Sequence, residues 1–177
     1  MRNDDNAEAM REHILSQLDR WSFPSSEWEK KTVGEVSNLP VTFVPRMPMD
    51  QLITMGMQPN ECHENAWFLQ ENDLDDETIH VVGWIDGGEG RYALHSVCEV
   101  AGRLICVTPV PFVQHAPFRF IRDDEIVVSV GVASFDFTRS GHEIGIGLRM
   151  HPERVIAECD TIKRRLLSGE DPYQVMR

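Results

Sequence analysis

The residues best suited to chemistry lie in one short stretch, QPNECHENAWFLQ, at residues 58–70. Cys62 precedes an apolar-periodic segment, and Asn60 can cap a helix running from about Glu61 to Glu71. A helix N-terminus concentrates unpaired N–H groups and about half a positive charge, so it stabilises a thiolate. The pattern predicts a nucleophilic Cys62; a buried packing residue and a metal ligand are the alternatives.

A thiolate nucleophile needs a base within hydrogen-bond reach and N–H donors aimed at the oxyanion that develops. His95 is the candidate base, since it lies in the middle of the predicted strand YALHSVCEV and interrupts an otherwise apolar face. A third group usually orients the histidine. The next predicted strand, LICVTP, carries Cys106 and Thr108 on one face and could supply it.

These motifs, in this order, resemble the papain-like and transglutaminase-like cysteine enzyme superfamily, including its small phage and bacterial members. There a helix opens with C-x-x-N-A, a strand carries a histidine after a glycine-tryptophan strand, and the next strand ends in D-x-T. The similar stretch runs from residue 58 to residue 109. The matching residues are Cys62, Asn65, Ala66, His95 and Thr108.

The resemblance implies attack of a thiol on an amide, by a peptidase, deamidase or acyltransferase, with Cys62 as nucleophile and His95 as base. It implies a protein or peptide substrate and no cofactor. Where the superfamily has aspartate, this chain has Cys106, which is neutral when buried and cannot stabilise an imidazolium as a carboxylate does. Thr108, Glu99 or a residue of the N-terminal segment are alternative orienters.

A second hypothesis is a catalytically inactive binding or inhibitor protein on the same scaffold, which acts on a protein partner. Cys106 in the aspartate position favours it. Asn65 has a site role or simply faces the core, because it shares a helix face with Cys62 by its spacing of three.

A zinc site needs three or four closely spaced ligands, and the candidates are His95, Cys98, Cys106 and His115. His95 and Cys98 differ by an odd number within one strand and therefore face opposite sides. We expect no metal site.

The composition of the chain limits the classes of partner that it can bind. The 177 residues include 17 Lys and Arg against 29 Asp and Glu, and the net charge of -12 repels nucleic acid and anionic membranes. No apolar stretch is long enough to span a bilayer, and the four cysteines have neither the density nor the spacing of a disulfide framework. We expect a cytoplasmic protein with free thiols; its oligomeric state is left open.

The predicted fold is α+β: a central antiparallel β-sheet, the nucleophile helix packed on it, and amphipathic helices at both termini. Residues 1–177 are interpreted as a single papain-like domain. Residues 1–57 form an N-terminal helix and a wrapping, proline-interrupted segment, 58–137 the helix and sheet core, and 138–177 the C-terminal helix.

Overall fold

The computed structural model describes residues 2–88, 90–110, 116–131 and 134–175, with the side chains of residues 2–6 left out. Helices account for 38% and antiparallel strands for 29%, which confirms the α+β class. In the described part of the chain, no helix is both long enough and apolar enough to cross a membrane.

The described elements are six helices and nine strands. The helices are α1 (Arg2–Trp21), α2 (Glu27–Val36), α3 (Met49–Thr54), α4 (Cys62–Glu71), α5 (Pro152–Leu167) and α6 (Pro172–Val175). The strands are β1 (Thr42–Val44), β2 (Thr78–Asp86), β3 (Arg91–Val100), β4 (Arg103–Ile105), β5 (Phe118–Arg122), β6 (Ile126–Val130), β7 (Phe135–Arg139), β8 (His142–Glu143) and β9 (Gly147–Arg149).

The contacts between residues divide the chain into two units. Unit 1 combines Met1–Lys31 with Arg149–Arg177, and unit 2 is Thr32–Leu148. The interpretation of the chain as a single domain stays a prediction.

Unit 1 is held by an apolar cluster and one buried ion pair. The apolar stripe of α1, including Ile14 and Leu18, packs with Val155 and Leu166.

The Arg149 guanidinium donates to the Glu29 carboxylate, with both side chains almost fully buried. Its remaining donors go to backbone carbonyls and its plane covers the ring of Phe23, so the buried charge is fully compensated.

Unit 2 contains a six-stranded sheet in the order β1-β5-β2-β3-β4, with β9 paired to β3, and a three-stranded sheet in the order β6-β7-β8. Directly opposed residues of antiparallel strands share a face. One face of the large sheet carries Ser96 and Cys98 and is covered by α4, where the Cys98 thiol contacts the Ala66 carbonyl. The other face carries His95, Val97 and Cys106 in a second apolar cluster with Phe120.

Two local predictions were wrong. The prolines between Trp21 and Asn60 do not exclude a long element, because α2 occupies the proline-free window between Pro24 and Pro40. Asn60 does not cap α4: it has a φ of 64°, and Glu61 is the N-cap residue. Cys62 is therefore the first residue of the helix.

Candidate functional site

The turn before Cys62 is fixed by Asn65. The side chain of Asn65 accepts a hydrogen bond from the Gln58 backbone N–H at 2.9 Å and donates one to the Gln58 carbonyl at 2.7 Å. The carbonyl oxygen and the NH2 group of this buried side-chain amide therefore both bond to the backbone of Gln58. Asn65 lies near the predicted nucleophile, and its contacts are those of a clamp that sets the start of α4.

Cys62 is half-buried and its environment favours the protonated thiol. Burial raises the pKa of Cys62 to about 11, outweighing the backbone N–H groups of Ser96 and of Cys62 itself, which lower this pKa. The nearby Cys106 sulfur raises the Cys62 pKa further. A helix N-terminus contributes only about 0.3–1 kcal/mol to a nearby charge, so desolvation dominates. The thiolate expected from the sequence is not the resting form.

Cys62 meets β3 at an interruption of that strand's pairing. The Leu94 N–H donates to the Ile146 carbonyl beside β9, and pairing with β4 starts at Cys98. The direction of the N–H alternates along a strand, so the Ser96 N–H points to the same side as that of Leu94, between these two contacts. This is the N–H that interacts with the Cys62 sulfur.

His95 is buried on the opposite face of β3. Its Nε2 lies 3.5 Å from Cys106 Sγ, and Phe118 and Phe120 pack edge-on against the ring. Burial lowers the pKa of His95 to about 3, and repulsion from the His63 ring when it is protonated and from the Arg46 guanidinium lowers this pKa further. The imidazole is therefore neutral at pH 7. Within the described residues, Nδ1 of this ring has no hydrogen-bond partner.

The structure brings together His95 and Cys106, as their strand positions predict. In the part of the chain that is described, no hydrogen bond joins Cys62 to His95. The physical reason is alternation: β3 presents Ser96 to α4 and directs the His95 ring to the far face. The contact found for the Cys62 sulfur is the Ser96 N–H at the edge of β3, next along the strand to His95.

Two further groups flank Cys106. Arg46 Nη1 lies 3.5 Å from the Cys106 sulfur, and the guanidinium covers the ring of Phe118 at 4.5 Å. Burial raises the pKa of Cys106, against the lowering effects of the Thr108 backbone and of Arg46. The Thr108 hydroxyl and the Arg46 Nε are buried and have no hydrogen-bond partner among the described residues. Sixty sequence positions separate Arg46 from Cys106, and no sequence signal links them.

Three polar residues on the α4 side of the sheet were not predicted as a group. The Ser96 hydroxyl lies 2.7 Å from His63 Nδ1 and 2.6 Å from His80 Nε2. The His63 ring is half-buried, 4.3 Å from the ring of Phe137. The available sequence signal was the alternation that places Ser96 opposite the start of α4.

The described residues hold no group of three His, Cys, Asp or Glu side chains suited to a metal ion. His95 and Cys98 lie on opposite faces of β3, as predicted. His115, the remaining candidate ligand, lies outside the described residues.

Comparison with known proteins gives no assignment. No protein-family model matches the chain, and no curated protein or solved structure matches it either. The papain-like resemblance therefore depends on the motifs themselves.

Proposed function

We propose that this protein performs thiol-dependent acyl chemistry on an amide, as a peptidase, deamidase or acyltransferase, with Cys62 as nucleophile and His95 as general base. The observation that carries the proposal is the state of the His95 ring. Cys106 holds Nε2, whereas Nδ1 has no partner among the described residues. In a nucleophile–histidine pair, one ring nitrogen is oriented by a third group and the other accepts the proton.

The pKa directions select one form of this mechanism. Cys62 has a raised pKa and His95 a lowered pKa, so both are neutral at pH 7. The proton therefore moves from sulfur to imidazole as the sulfur attacks the carbonyl, in place of a preformed thiolate–imidazolium pair. Cys62 and His95 share no hydrogen bond in the free protein, so this mechanism requires the ring to reach the sulfur at the edge of β3, within about 3–3.5 Å, when substrate binds.

The complete reaction uses groups at the start of α4. The carbonyl carbon forms a bond to Cys62 Sγ, and N–H groups of the first turn of α4, which begins at Cys62, can stabilise the oxyanion. His95 then returns the proton to the leaving amine, and a thioester remains on Cys62. Water, or an acceptor amine in a transferase, releases the acyl group with His95 again as base.

p-Nitrophenyl acetate tests this proposal without knowledge of the natural substrate. We expect acetylation of Cys62, detected by mass spectrometry, and release of nitrophenolate. Cys62→Ala should abolish both signals, and His95→Gln should slow them by a factor of about 100, the lower range for general-base catalysis. Cys159→Ala, a buried thiol of unit 1, is the matched control and should behave as wild type.

The second candidate is a binding protein without catalysis, which the neutral Cys106 beside His95 favours. Acetyl groups distributed over several thiols, or unchanged nitrophenolate release by a folded Cys62→Ala variant, would decide for it.

A further inference from the structure

Ser96 contacts the start of α4 through both its backbone and its side chain. Its N–H interacts with the Cys62 sulfur, and its hydroxyl lies 2.7 Å from Nδ1 of His63, the next residue of the helix. The same hydroxyl lies 2.6 Å from Nε2 of His80 on β2. Ser96 itself is fully buried.

We propose that Ser96 is a positioning residue: its hydroxyl joins His63 and His80 into a bracket that holds the first turn of α4, and with it Cys62, at the edge of β3. The role of this bracket in catalysis rests on the proposed function. The existence of the bracket does not depend on that function, because it can be detected whether or not Cys62 attacks a substrate.

The first turn of α4 depends on such contacts. The N-cap residue Glu61 makes no side-chain capping bond, so the usual anchor of a helix start is missing. Two side-chain hydrogen bonds replace it: the Asn65 clamp on Gln58 and the contact of His63 with Ser96. Of these two, the second reaches β3, the strand that carries His95.

Proton counting restricts the bracket to two states. The Ser96 hydroxyl has one proton and two lone pairs, and it is fully buried with no hydrogen-bond partner among the described residues other than these two rings. Its proton must therefore go to one imidazole, and its oxygen accepts from the other. If His63 Nδ1 carries the proton, His80 Nε2 must be bare and the proton of that ring is on Nδ1. If His80 Nε2 carries it, His63 Nδ1 is bare and the proton of that ring is on Nε2. Both neutral rings are therefore in the same tautomer.

The surroundings keep both rings neutral. Phe137 packs on His63 with ring centroids 4.3 Å apart, and Phe135 lies edge-on to His80 at 6.4 Å. Burial lowers the pKa of each histidine to about 4, and repulsion from His80, when that ring is protonated, lowers the pKa of His63 further. The bracket is therefore intact throughout the neutral pH range.

Alkylation by iodoacetamide measures the positioning directly. Ser96→Ala removes the hydroxyl and keeps the N–H, so the first turn of α4 should loosen and the Cys62 pKa should fall from about 11 towards its ordinary value. The rate of Cys62 alkylation at pH 7.5 should rise about tenfold or more, because the thiolate fraction grows tenfold per unit fall in pKa. Ser129→Ala, an exposed strand serine, should leave the rate unchanged.

Cys98 distinguishes positioning from general loosening. It lies on the same face of β3 two residues from Ser96, and its alkylation should not change in Ser96→Ala. An equal rise at Cys98 and Cys62, or no rise at Cys62, would overturn the proposal.

A second measurement does not need the variant to fold. Nitrogen-15 NMR of the imidazoles in the wild-type protein should show His63 and His80 in the same tautomer at pH 7.5; opposite tautomers would refute the shared hydroxyl. If wild-type Cys62 is not acetylated but the alkylation and NMR results are as expected, the proposed function is rejected and the bracket is supported.

Discussion

Cys106 lies between two groups that suit a negative charge. Its sulfur is 3.5 Å from both His95 Nε2 and Arg46 Nη1, and the Thr108 hydroxyl next to it is buried without a partner among the described residues. The thiol is nevertheless neutral, because burial raises its pKa. The site has the geometry of an orienting carboxylate and lacks only the charge.

We therefore expect Cys106→Asp to strengthen the site. A carboxylate at this position can accept hydrogen bonds from His95 and Arg46, and an opposite charge within 4–6 Å raises the pKa of an imidazole. NMR titration should show the His95 pKa well above its value of about 3. Acetylation of Cys62 by p-nitrophenyl acetate should accelerate by about tenfold, since one pKa unit corresponds to 1.36 kcal/mol.

Cys98→Asp is the matched control for this change. Cys98 faces the Ala66 carbonyl, so a carboxylate there has no donor and should destabilise the protein without acceleration. A folded Cys106→Asp variant with an unchanged His95 pKa would show that Cys106 does not orient the ring.

Single residues were predictable where a strand or helix period decides their position. The period placed His95 near Cys106 and put Cys62 in the first turn of a helix. It could not find Arg46, because a contact between side chains sixty positions apart depends on the fold of the whole sheet. It also could not give the Cys62 pKa, since burial depends on what packs over the helix.

At the scale of elements, β2 and β5 approach so closely that only glycine fits at position 83. A Cβ built on Gly83 would lie 2.1 Å from the Ile121 carbonyl oxygen and 2.8 Å from the Phe120 ring. Gly83 is also directly opposite His95, so this approach brings the aromatic lining of β5 to the imidazole.

We expect Gly83→Ala to lower the free energy of unfolding by about 3 kcal/mol or more, because backbone must move to relieve the overlap. Gly34→Ala is the control: a Cβ there meets nothing within 4 Å, and the site is an exposed helical position in α2. It should stabilise the protein by about 1 kcal/mol. Urea unfolding of both variants measures this, and a Gly83→Ala value near wild type would contradict the packing.

The helices and hairpins were predictable where a capping residue, an apolar period or a turn residue marks their ends. The amphipathic helix predicted at the C-terminus is α5, which begins at Pro152, and glycine-containing turns separate β2 from β3 and β3 from β4. α2 was missed although Ser26 and Glu29 form a capping-box pattern, and the Ser26 hydroxyl does accept the Glu29 N–H at 3.0 Å. The prolines at 24 and 40 flank α2 and do not interrupt it, so this capping signal correctly marks the start of the helix.

At the scale of the whole molecule, three neutral histidines make folding sensitive to mild acid. Burial lowers the pKa values of His63 and His80 to about 4 and that of His95 to about 3. The unfolded chain titrates these groups near pH 6.5 and so binds more protons than the folded chain between about pH 6.5 and 4. The stabilising effect of keeping these rings neutral is fully present above pH 6.5, and it is lost as the pH falls through this window.

The free energy of unfolding should thus decrease between pH 7.5 and pH 5. By this linkage, a buried imidazole such as His95 lowers the free energy of unfolding by about 2 kcal/mol at pH 5 relative to pH values above 6.5. His63→Asn should reduce the pH slope, and His13→Asn, at an exposed position, should leave it unchanged. Urea titrations over this pH range supply the slopes; a flat profile for wild type would contradict neutral buried histidines.

The discontinuity of unit 1 has a consequence for biosynthesis. Met1–Lys31 is synthesised before unit 2, yet its partners in Arg149–Arg177 follow only after all of unit 2 has been translated. At roughly 5–20 residues per second this delay is on the order of ten seconds. Throughout this delay the apolar stripe of α1 lacks the residues of α5 that cover it in the folded chain, so the stripe stays exposed for longer than a hairpin of neighbouring helices would.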